Sequence, residues 1–423
     1  MASEAVVARK AALTLMGDVL EAHRPLSEVL PKRLASLAPQ DRARAQRLAT
    51  TALRMLDRSD RMLGPYLKKR PPARVMNLLR LGVAEICAEG AAPHGVVNAA
   101  VEIAHGSRKT AGMAGLVNAV LRKVAQDASK WDGLPVPRLP KWLRKPLIDD
   151  FGKPVIEAIE AVQAQGAPLD LTPKGNPQVL ADQLGGALLP TGSVRLATGG
   201  QVSALPGFAA GDWWVQDAAA AMPARILGAK PGERVLDLCA APGGKTMQLA
   251  AAGAQVTAVD ISPNRMARVA ENLARTGLSA DLITADALEF EGGPFDAVLL
   301  DAPCSATGTI RRHPDLPFAK DGSDFPGLFE LQQHLIDRAV GMLAPGGRLV
   351  YCTCSLLLDE GEEQVRDGLG RHPGLRVDRD ALGLPGVDPD WTSDEGGLRL
   401  RPDYWAERGG MDGFYIACLR KPG

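Results

Sequence analysis

The sequence predicts a protein of several domains, with an all-helical bundle over residues 1–130 and an α/β domain with a doubly wound parallel sheet over residues 214–423. Three observations support this fold class. The chain has 423 residues, which is more than one hydrophobic core usually organises. Apolar residues recur at helical spacing in the first third, as from Leu78 to Ile86. Residues 214–423 alternate between strand-like and helix-like runs, which is typical of βαβ units.

Prolines divide the first 130 residues into helical segments. Pro25, Pro65 and Pro93 each stand between two apolar-periodic stretches, and Pro71 and Pro72 form a fourth break. Proline lacks the backbone N–H that a helix interior requires, so helices end before it or begin with it. We therefore expect a bundle of short helices whose ends lie at these positions.

Positive charge is concentrated at the start of the chain. The whole chain has 49 Lys+Arg and 49 Asp+Glu, but residues 1–145 contain 25 basic and 12 acidic residues, a formal charge of +13 that the remainder balances with −13. This asymmetry predicts that the bundle binds a polyanion, although solvated helix faces would also account for it. The basic residues include Arg42, Arg44, Arg47, Lys68, Lys69, Arg70, Arg108, Lys109, Arg122 and Lys123.

Residues 131–213 predict a linker followed by a small intermediate subdomain. Prolines and basic residues are frequent from Trp131 to Lys145, and Pro146 follows, which is typical of a linker. The next stretch predicts a helix from Pro154 to Gln165 and short strands near Val194–Ala197 and Trp213–Val215. The pattern alone does not define how these elements pack.

Five apolar runs predict the strands of the carboxyl-terminal sheet. They are Arg234–Cys239, Gln255–Asp260, Ala280–Thr284, Phe295–Leu300 and Arg348–Thr353. Helices are expected between them: Pro263–Thr276 starts with a proline behind the cap residue Ser262, and Leu331–Leu343 is amphipathic. A final strand is expected over Gly413–Leu419.

A glycine-containing turn after the first of these strands predicts a ligand site. Gly243 and Gly244 let the backbone approach a ligand closely, and a helix amino terminus follows them. The spacing matches neither a phosphate loop nor a dinucleotide fingerprint. Asp260 ends the second strand and Asp286 follows the third, where carboxylates can accept hydrogen bonds from ribose hydroxyls and meet the adenine end of an adenosine. The alternative is an ordinary tight turn between strand and helix.

Two cysteines follow neighbouring predicted strands. Asp301-Ala302-Pro303-Cys304 comes after one apolar run, and Thr353-Cys354-Ser355 comes after another. Ligands bind outside the carboxyl ends of the strands in an open α/β sheet, so the two thiols and the Asp301 carboxylate should converge on one crevice. One thiol would attack a substrate while the other handles a proton. Each cysteine by itself would also be compatible with a small buried apolar residue.

Cysteine use and hydropathy suggest a cytoplasmic protein without a membrane partner. The six cysteines are too few and too clustered for a disulfide framework. A zinc site from Cys304, Cys352 and Cys354 would have poor ligand spacing, so we expect no metal. No apolar run is long enough to span a bilayer, and Arg9 and Lys10 are followed by a mixed segment rather than by a signal-peptide core.

Three sequence motifs resemble those of a known family. They are Cys239-Ala240-Ala241-Pro242-Gly243-Gly244-Lys245-Thr246, the stretch 301–315 that begins Asp-Ala-Pro-Cys, and Tyr351-Cys352-Thr353-Cys354-Ser355. They are similar to the motifs of the RNA cytosine-5 methyltransferases of the RsmB/Sun family. Trp214–Ala220 resembles the entry segment of that catalytic domain, and the helical first third resembles the NusB-type RNA-binding domain of the RsmB branch. The resemblance implies a NusB-like domain over 1–130 and a Rossmann-like methyltransferase domain over 214–423.

The resemblance also implies roles for the site residues. Cys354 would add to C6 of a flipped cytosine, which activates C5 toward the methyl group of S-adenosylmethionine. Cys304 would assist loss of the C5 proton and release of Cys354. Asp301 would bind the N3/N4 edge of the base, and Lys245 would orient Asp301. The cofactor-binding residues would be Cys239, Ala240, Ala241, Pro242, Gly243, Gly244, Lys245, Asp260, Asp286 and Asp301.

The resemblance implies RNA, and small-subunit ribosomal RNA in particular, as the substrate of a monomer. Arg311 and Arg312 would contact the RNA backbone beside the extruded base. One departure concerns residues 169–177, where the family has an Arg-x-Asn type motif and this chain has no arginine. This puts an RNA contact by that segment in doubt. Two alternatives stay open: a methyltransferase acting on DNA or protein, and a non-catalytic RNA-binding ribosome assembly factor.

Overall fold

The computed structural model describes residues 4–197 and 200–423. The chain divides into two compact units. The first ends at Gly166 and also includes Ile310–Gly322, and the second contains Ala167–Thr309 and Ser323–Gly423. The first unit therefore extends beyond residue 130, where the sequence predicted its end.

The helices of the described residues lie mostly in the first unit and around the large sheet of the second. In chain order they are α1 (Glu4–Leu20), α2 (Leu26–Leu34), α3 (Pro39–Arg54), α4 (Leu56–Leu63), α5 (Ala73–Val83), α6 (Pro93–His105), α7 (Ala114–Gln126), α8 (Lys141–Phe151), α9 (Lys153–Gln165), α10 (Pro177–Leu184), α11 (Ala218–Leu227), α12 (Gly244–Ala251), α13 (Pro263–Thr276), α14 (Leu316–Ala319), α15 (Phe325–Met342) and α16 (Glu362–Arg371).

The strands all lie in the second unit. In chain order they are β1 (Leu169–Pro173), β2 (Ala187–Leu188), β3 (Val194–Leu196), β4 (Trp213–Val215), β5 (Arg234–Leu238), β6 (Gln255–Asp260), β7 (Asp281–Thr284), β8 (Phe295–Asp301), β9 (Leu343–Thr353), β10 (Arg376–Val377), β11 (Leu398–Leu400) and β12 (Phe414–Arg420).

The helical bundle confirms the predicted breaks. Pro25 precedes α2, Pro72 precedes α5, Pro93 opens α6, and Pro65 lies in a short 3-10 turn after α4. The core is formed by apolar residues that recur every three or four positions along each helix, which places them on one face. They include Leu13, Met16, Leu48, Leu53, Leu79, Val117 and Leu121, all nearly or fully buried.

The predicted linker is shorter than expected because α8 begins inside it. Lys141–Lys145 and Pro146 were assigned to the linker, but they form the first two turns of α8. The apolar residues Leu143 and Leu147 are buried on one face of this helix. The buried Glu160 carboxylate on α9 accepts hydrogen bonds from the Leu139 N–H and from Arg144. Tertiary burial therefore outweighs the local effect of the prolines.

The segment Ile310–Gly322 packs within the first unit. Its Asp315 carboxylate accepts a hydrogen bond from the Leu26 N–H at 2.8 Å. The Trp142 indole N–H donates to the Pro317 carbonyl at 3.0 Å, and Phe318 contacts the apolar core of the bundle. The chain that follows the Cys304 loop is therefore part of the helical unit.

The large sheet has the strand order β10-β12-β9-β8-β5-β6-β7, with β11 also paired to β12. Strands β5, β6, β7, β8 and β9 pair with one another in parallel. Strand β12 pairs antiparallel with β9, and both β10 and β11 pair antiparallel with β12. The five predicted strands and the final one are confirmed, although the antiparallel edge was not predicted. Strand order reverses between β5 and β8, so the crevice for a ligand lies at their carboxyl ends.

Side chains alternate between the two faces of the sheet. Leu236 and Leu238 on β5 belong to one apolar cluster, and Val235 belongs to the opposite one. The same alternation holds on β8, because successive residues of a strand point to opposite faces. Both faces of the sheet are therefore covered, which leaves its edges and strand ends for polar residues.

A smaller sheet accounts for the weakly patterned segment. Its strand order is β2-β3-β1-β4, with antiparallel pairing. Arg195 on β3 forms a buried, bidentate ion pair with Asp170 on β1 at 2.6 and 2.7 Å. The helix predicted from Pro154 to Gln165 and both short strands are confirmed. Among the described residues, no helix is long and apolar enough to cross a membrane.

Candidate active site

The two motif cysteines meet at the carboxyl ends of adjacent strands. Cys304 lies three residues beyond β8, and Cys354 follows β9 directly. Their Sγ atoms are 3.4 Å apart, and both side chains are half-buried. The Ala302 N–H donates to the Cys352 carbonyl and the Gly308 N–H donates to the Cys354 carbonyl, each at 3.0 Å, so backbone hydrogen bonds join the two loops. The structure thus brings the predicted pair together.

Asp301 and Lys245 form an ion pair beside the cysteines. The Lys245 ammonium donates to Asp301 Oδ2 at 2.7 Å, and the Cys352 thiol donates to Asp301 Oδ1 at 3.5 Å. Burial would lower the pKa of Lys245, but the Asp301 carboxylate raises it overall, so Lys245 is cationic. The Asp301 side chain keeps 29% of its surface exposed. A fixed, partly accessible carboxylate can therefore accept hydrogen bonds from a substrate.

The environments of the cysteines differ. The hydrogen bond with Cys354, in which the protonated Cys304 thiol is the donor, and burial raise the pKa of the Cys304 thiol well above its ordinary value. Burial and the nearby Asp301 carboxylate do the same for the pKa of Cys352. Since a thiolate is the nucleophilic form, a raised pKa makes Cys304 and Cys352 poor nucleophiles. Cys304 is accordingly suited to hold a proton, and Cys352 is fully buried.

The glycine turn after β5 places its residues around the strand ends. Cys239 has a left-handed backbone with φ of 62°, and burial raises the pKa of its thiol. Gly243, with φ of 97°, caps the start of α12, a conformation that other residues adopt at a cost. Ala240 and Ala241 are buried, and Pro242 is exposed. This turn approaches the crevice with its backbone rather than with bulky side chains.

Asp260 is held at the end of β6. Its Oδ1 accepts from the Ser262 N–H at 3.0 Å, and its Oδ2 accepts from the Ala241 N–H at 3.1 Å. The half-exposed Arg265 guanidinium lies 3.4 Å from Oδ2 and would have to move for a ligand hydroxyl to bind there. Asp286 lies beyond β7, where its carboxylate accepts from the Leu288 N–H at 2.9 Å.

Arg311 does not lie where the sequence predicted. Its side chain is 0% exposed, and its carbonyl accepts a hydrogen bond from Arg54 at 3.0 Å within the helical unit. A guanidinium buried in this way cannot contact an RNA backbone, so the predicted role of Arg311 is at odds with the structure. Arg312 is exposed, and its role stays a prediction.

Sequence reasoning missed several residues at the site. Ile261, next to Asp260, is an apolar side chain with 64% exposure. Asp237 on β5 is fully buried; Thr246 donates to its Oδ2 at 2.6 Å, and burial raises its pKa to about 7. Glu360 is fully buried and bonded to the residue that follows Cys304. Ile261 could have been found as the residue after the strand-end acid. Glu360 gave no signal beyond its position five residues after Ser355.

Within the described ranges, no group of His, Cys, Asp and Glu side chains could hold a metal ion.

Comparison with known proteins assigns one family to the helical first part of the chain and another to the α/β part. A model of the NusB family matches residues 6–126, and a model described as 16S rRNA methyltransferase RsmB/F matches residues 224–420. The ribosomal RNA small subunit methyltransferase B of Vibrio cholerae is 36% identical over an alignment 440 residues long. The alignment covers 98% of this chain and 97% of that protein. The protein of the same name from Pseudomonas syringae is 37% identical, with 98% and 96% covered.

A solved structure shares the fold of about two thirds of this chain. It is a methyltransferase homolog protein from Pyrococcus horikoshii, which is 27% identical and has a TM-score of 0.54 over 67% of this chain and 95% of that chain. The full-length relatives cover both units, and the motif cysteines lie within the matched methyltransferase region. The chain, with its NusB-type helical domain and its α/β catalytic domain, therefore belongs to the RsmB/F family of 16S rRNA methyltransferases.

Proposed function

We propose that this methyltransferase forms 5-methylcytosine in small-subunit ribosomal RNA, through a covalent bond between Cys354 and C6 of the target base. The observation that carries the proposal is the 3.4 Å approach of Cys304 and Cys354 beside the Asp301–Lys245 pair. Methylation of an aromatic carbon needs a nucleophile to activate the ring and a second group to manage protons. In this proposal Cys354 is the nucleophile and Cys304 is the second group.

S-adenosylmethionine is the cofactor, and when bound it supplies an electrophilic methyl group. The residues present fit its adenosine part. Asp260 offers a carboxylate for ribose hydroxyls once Arg265 moves aside, and the exposed Ile261 offers an apolar surface for a base. We also assign to the cofactor the turn residues Cys239 to Gly244, together with Lys245, Asp286 and Asp301.

The protein residues act on the cytosine in sequence. Asp301, held by Lys245, accepts a hydrogen bond from the N4 amine and stabilises a protonated N3. Cys354 loses its thiol proton, a proton is taken up at N3, and the sulfur forms the S–C6 bond as the electron pair of the C5–C6 double bond moves toward C5. After C5 is methylated, a base removes the C5 proton, the double bond re-forms and the S–C6 bond breaks.

Cys304 is the group placed for that last proton transfer. Its pKa is raised chiefly by its hydrogen bond to Cys354. Once Cys354 becomes a thioether, it is neutral and no longer presents a thiolate to Cys304. We therefore expect the Cys304 thiol to ionise more readily in the adduct than in the free protein, which is when a base is needed.

The target base must leave its stack to reach the cysteines, which costs least in unpaired RNA. The bundle is the part of the chain that would hold such RNA. Two neighbouring clefts of about 450 and 210 Å³ lie between α6 and α7 and share Asn98. Arg122 lines one of them, and Lys123, Arg108 and Lys109 are exposed at the same two helices or the loop that joins them. We name this surface the α6–α7 groove and propose that it binds the RNA backbone.

Removing two charges from the α6–α7 groove should weaken RNA binding. In Arg122→Ala/Lys123→Ala we expect affinity for the target RNA to fall about 10-fold at low salt, and the slope of log K against log[salt] to fall by roughly 1 to 2. Fluorescence anisotropy over a salt series measures both. Lys10→Ala/Lys32→Ala is the matched control, because it removes the same charge from exposed positions on α1 and α2. Equal effects of the two double variants would remove the groove from the proposal.

The nature of the product tests the proposed reaction itself. The protein should transfer a labelled methyl group to small-subunit ribosomal RNA, and nucleoside mass spectrometry should identify 5-methylcytidine. The strand end here reads Asp301-Ala302-Pro303-Cys304. Methylation of an exocyclic amine uses an Asp/Asn-Pro-Pro-aromatic loop at this strand end, so N4-methylcytidine is not expected. N4-methylcytidine, or transfer to DNA or protein in place of RNA, would contradict the proposal. An RNA-binding protein without any transfer would favour the assembly-factor alternative.

The oligomeric state and location also belong to the proposal. We propose a monomer that acts in the cytoplasm, where its ribosomal substrate is found. Light scattering of the purified protein, alone and with RNA, checks the first point.

A further inference from the structure

Glu360 is a fully buried carboxylate next to the cysteine loops. It lies in a short 3-10 turn between β9 and α16, and it is 0% exposed. Its Oε1 accepts from the Ser305 N–H at 2.8 Å and from Gln332 Nε2 at 3.1 Å, and its Oε2 accepts from the Ser305 hydroxyl at 2.5 Å. A buried carboxylate is expensive unless such donors satisfy it. Three hydrogen-bond donors satisfy the Glu360 carboxylate, and two of them belong to Ser305, the residue directly after Cys304.

The backbone of Glu360 is tied to the other cysteine loop. Its carbonyl accepts a hydrogen bond from the Tyr351 hydroxyl at 2.7 Å and another from the Thr353 hydroxyl at 3.1 Å. Both donors lie on β9, and Thr353 immediately precedes Cys354. Glu360 therefore contacts the Cys304 loop with its side chain and the strand of Cys354 with its main chain.

Three hydroxyl groups connect the loops beneath the thiols. Ser305 Oγ lies 3.1 Å from Ser355 Oγ and 3.2 Å from Thr307 Oγ1, and the last two oxygens are 3.1 Å apart. Ser305 follows Cys304, and Ser355 follows Cys354. All three are nearly or fully buried. We call Ser305, Thr307 and Ser355 the hydroxyl triangle.

The carboxylate fixes the direction of the hydrogen bonds in this triangle. The Leu357 N–H donates to Ser355 Oγ at 3.0 Å, and the Leu356 N–H donates to Thr307 Oγ1 at 2.9 Å. A carboxylate can only accept, so the Ser305 hydroxyl must donate to Glu360. Within the triangle the Ser305 oxygen therefore only accepts, from the Thr307 hydroxyl, from the Ser355 hydroxyl or from both. These contacts join the Cys304 loop to the Cys354 loop.

We propose that Glu360 is a positioning residue that sets the separation of Cys304 and Cys354. The inference rests on the proposed function, in which these thiols act as a nucleophile and a proton-transfer group. Gln332 completes the arrangement, because its Nε2 donates to the Pro303 carbonyl at 2.8 Å as well as to Glu360. Glu360 itself touches neither the substrate nor the reacting atoms.

Glu360→Gln tests this role with little change in shape. The amide can still accept from the Ser305 N–H, but its NH₂ group then faces the Ser305 hydroxyl, which must turn its hydrogen toward the triangle. We expect kcat to fall about 10- to 100-fold, since small displacements of reacting groups have effects of this size. KM for RNA and for S-adenosylmethionine should stay within about 2-fold, because no binding contact is changed.

A probe of the thiol pair separates this inference from the proposed reaction. Phenylarsine oxide, without RNA, forms two As–S bonds to a close pair of thiols and releases one water molecule. Mass spectrometry should detect the bridged wild-type protein, and Cys304→Ala should not form it. In Glu360→Gln we expect bridging to be about 10-fold slower. Glu160→Gln is the matched control, because Glu160 is an equally buried glutamate that accepts from a backbone N–H and an arginine in the helical unit. It should bridge at the wild-type rate.

Ser305→Ala gives a second route if Glu360→Gln folds poorly. If Glu360 acts through Ser305, the double variant should lose no more activity than the more affected single variant, rather than the product of the two losses. Wild-type bridging and wild-type kcat in Glu360→Gln would overturn the inference, and so would normal bridging with a lowered kcat. Slower bridging in a protein that methylates no RNA would support the positioning role and overturn the proposed function instead.

Discussion

Cys354→Ala should lose methyl transfer to RNA by at least about 10⁴-fold, the scale of loss seen when an enzyme is deprived of its nucleophile. The physical reason is that C5 of cytosine attacks an electrophile only after a nucleophile has added at C6. Cys354 lies 3.4 Å from Cys304, and no other thiol of the site is as well suited, since Cys352 is fully buried and bonded to Asp301. Single-turnover transfer of a labelled methyl group measures the effect.

Binding should be retained in this variant. The loss of one half-buried thiol leaves the ion pair of Lys245 and Asp301 and the contacts of Asp260 in place. Isothermal titration with S-adenosylmethionine should therefore give an affinity close to that of the wild type. Cys418→Ala is the matched control, because Cys418 is a fully buried core cysteine on β12, paired with Val350 four residues before Cys354. Methylation by Cys354→Ala at the wild-type rate would show that the mechanism is wrong.

Cys304→Ala should accumulate a covalent complex between protein and RNA. Cys354 can still add to C6, but the group that assists loss of the C5 proton is absent, so the S–C6 bond is not released. We expect turnover to fall about 10²- to 10⁴-fold, the usual contribution of a positioned acid or base. A band of higher mass that survives denaturation and disappears after ribonuclease treatment measures the adduct.

The double variant is the control for this adduct. Cys304→Ala/Cys354→Ala lacks the nucleophile and should form no denaturation-resistant band. If Cys304→Ala turns over normally and traps nothing, Cys304 has no role in release. If the double variant still forms the band, the bond to RNA comes from another residue, and the assignment of Cys354 fails.

The strands of the large sheet could be predicted because each is recognisable from the pattern of its own residues. Val235–Leu238 is apolar except for Asp237, and Ala297–Leu300 is a continuous apolar run. Each is flanked by turn residues, so both strand and burial follow from the sequence. The antiparallel edge formed by β10, β11 and β12 depends on pairing between distant segments, and no local pattern records it. Lys141–Pro146 illustrates the opposite error, because prolines suggested a linker where buried leucines stabilise a helix.

The site was predictable where a motif lies at a strand end. Asp301 ends β8, Cys304 follows β8 and Cys354 follows β9, and the parallel pairing of these strands brings them together as expected. Glu360 could not be found this way, since its role depends on contacts with Ser305 and Gln332 that only the folded chain forms. The burial of Arg311 could not be found from its motif position either, since it depends on how Ile310–Gly322 packs in the helical unit.

The measurement that tests the central claim most directly is to express Cys304→Ala in cells, isolate the protein under denaturing conditions and sequence the RNA bound to it. The account predicts one dominant attachment site, a cytosine in small-subunit ribosomal RNA, linked to the peptide that contains Cys354 and lost in the Cys304→Ala/Cys354→Ala variant. Attachment to another base, to another class of RNA or through another residue would contradict it, as would the absence of any adduct in a protein that still binds S-adenosylmethionine.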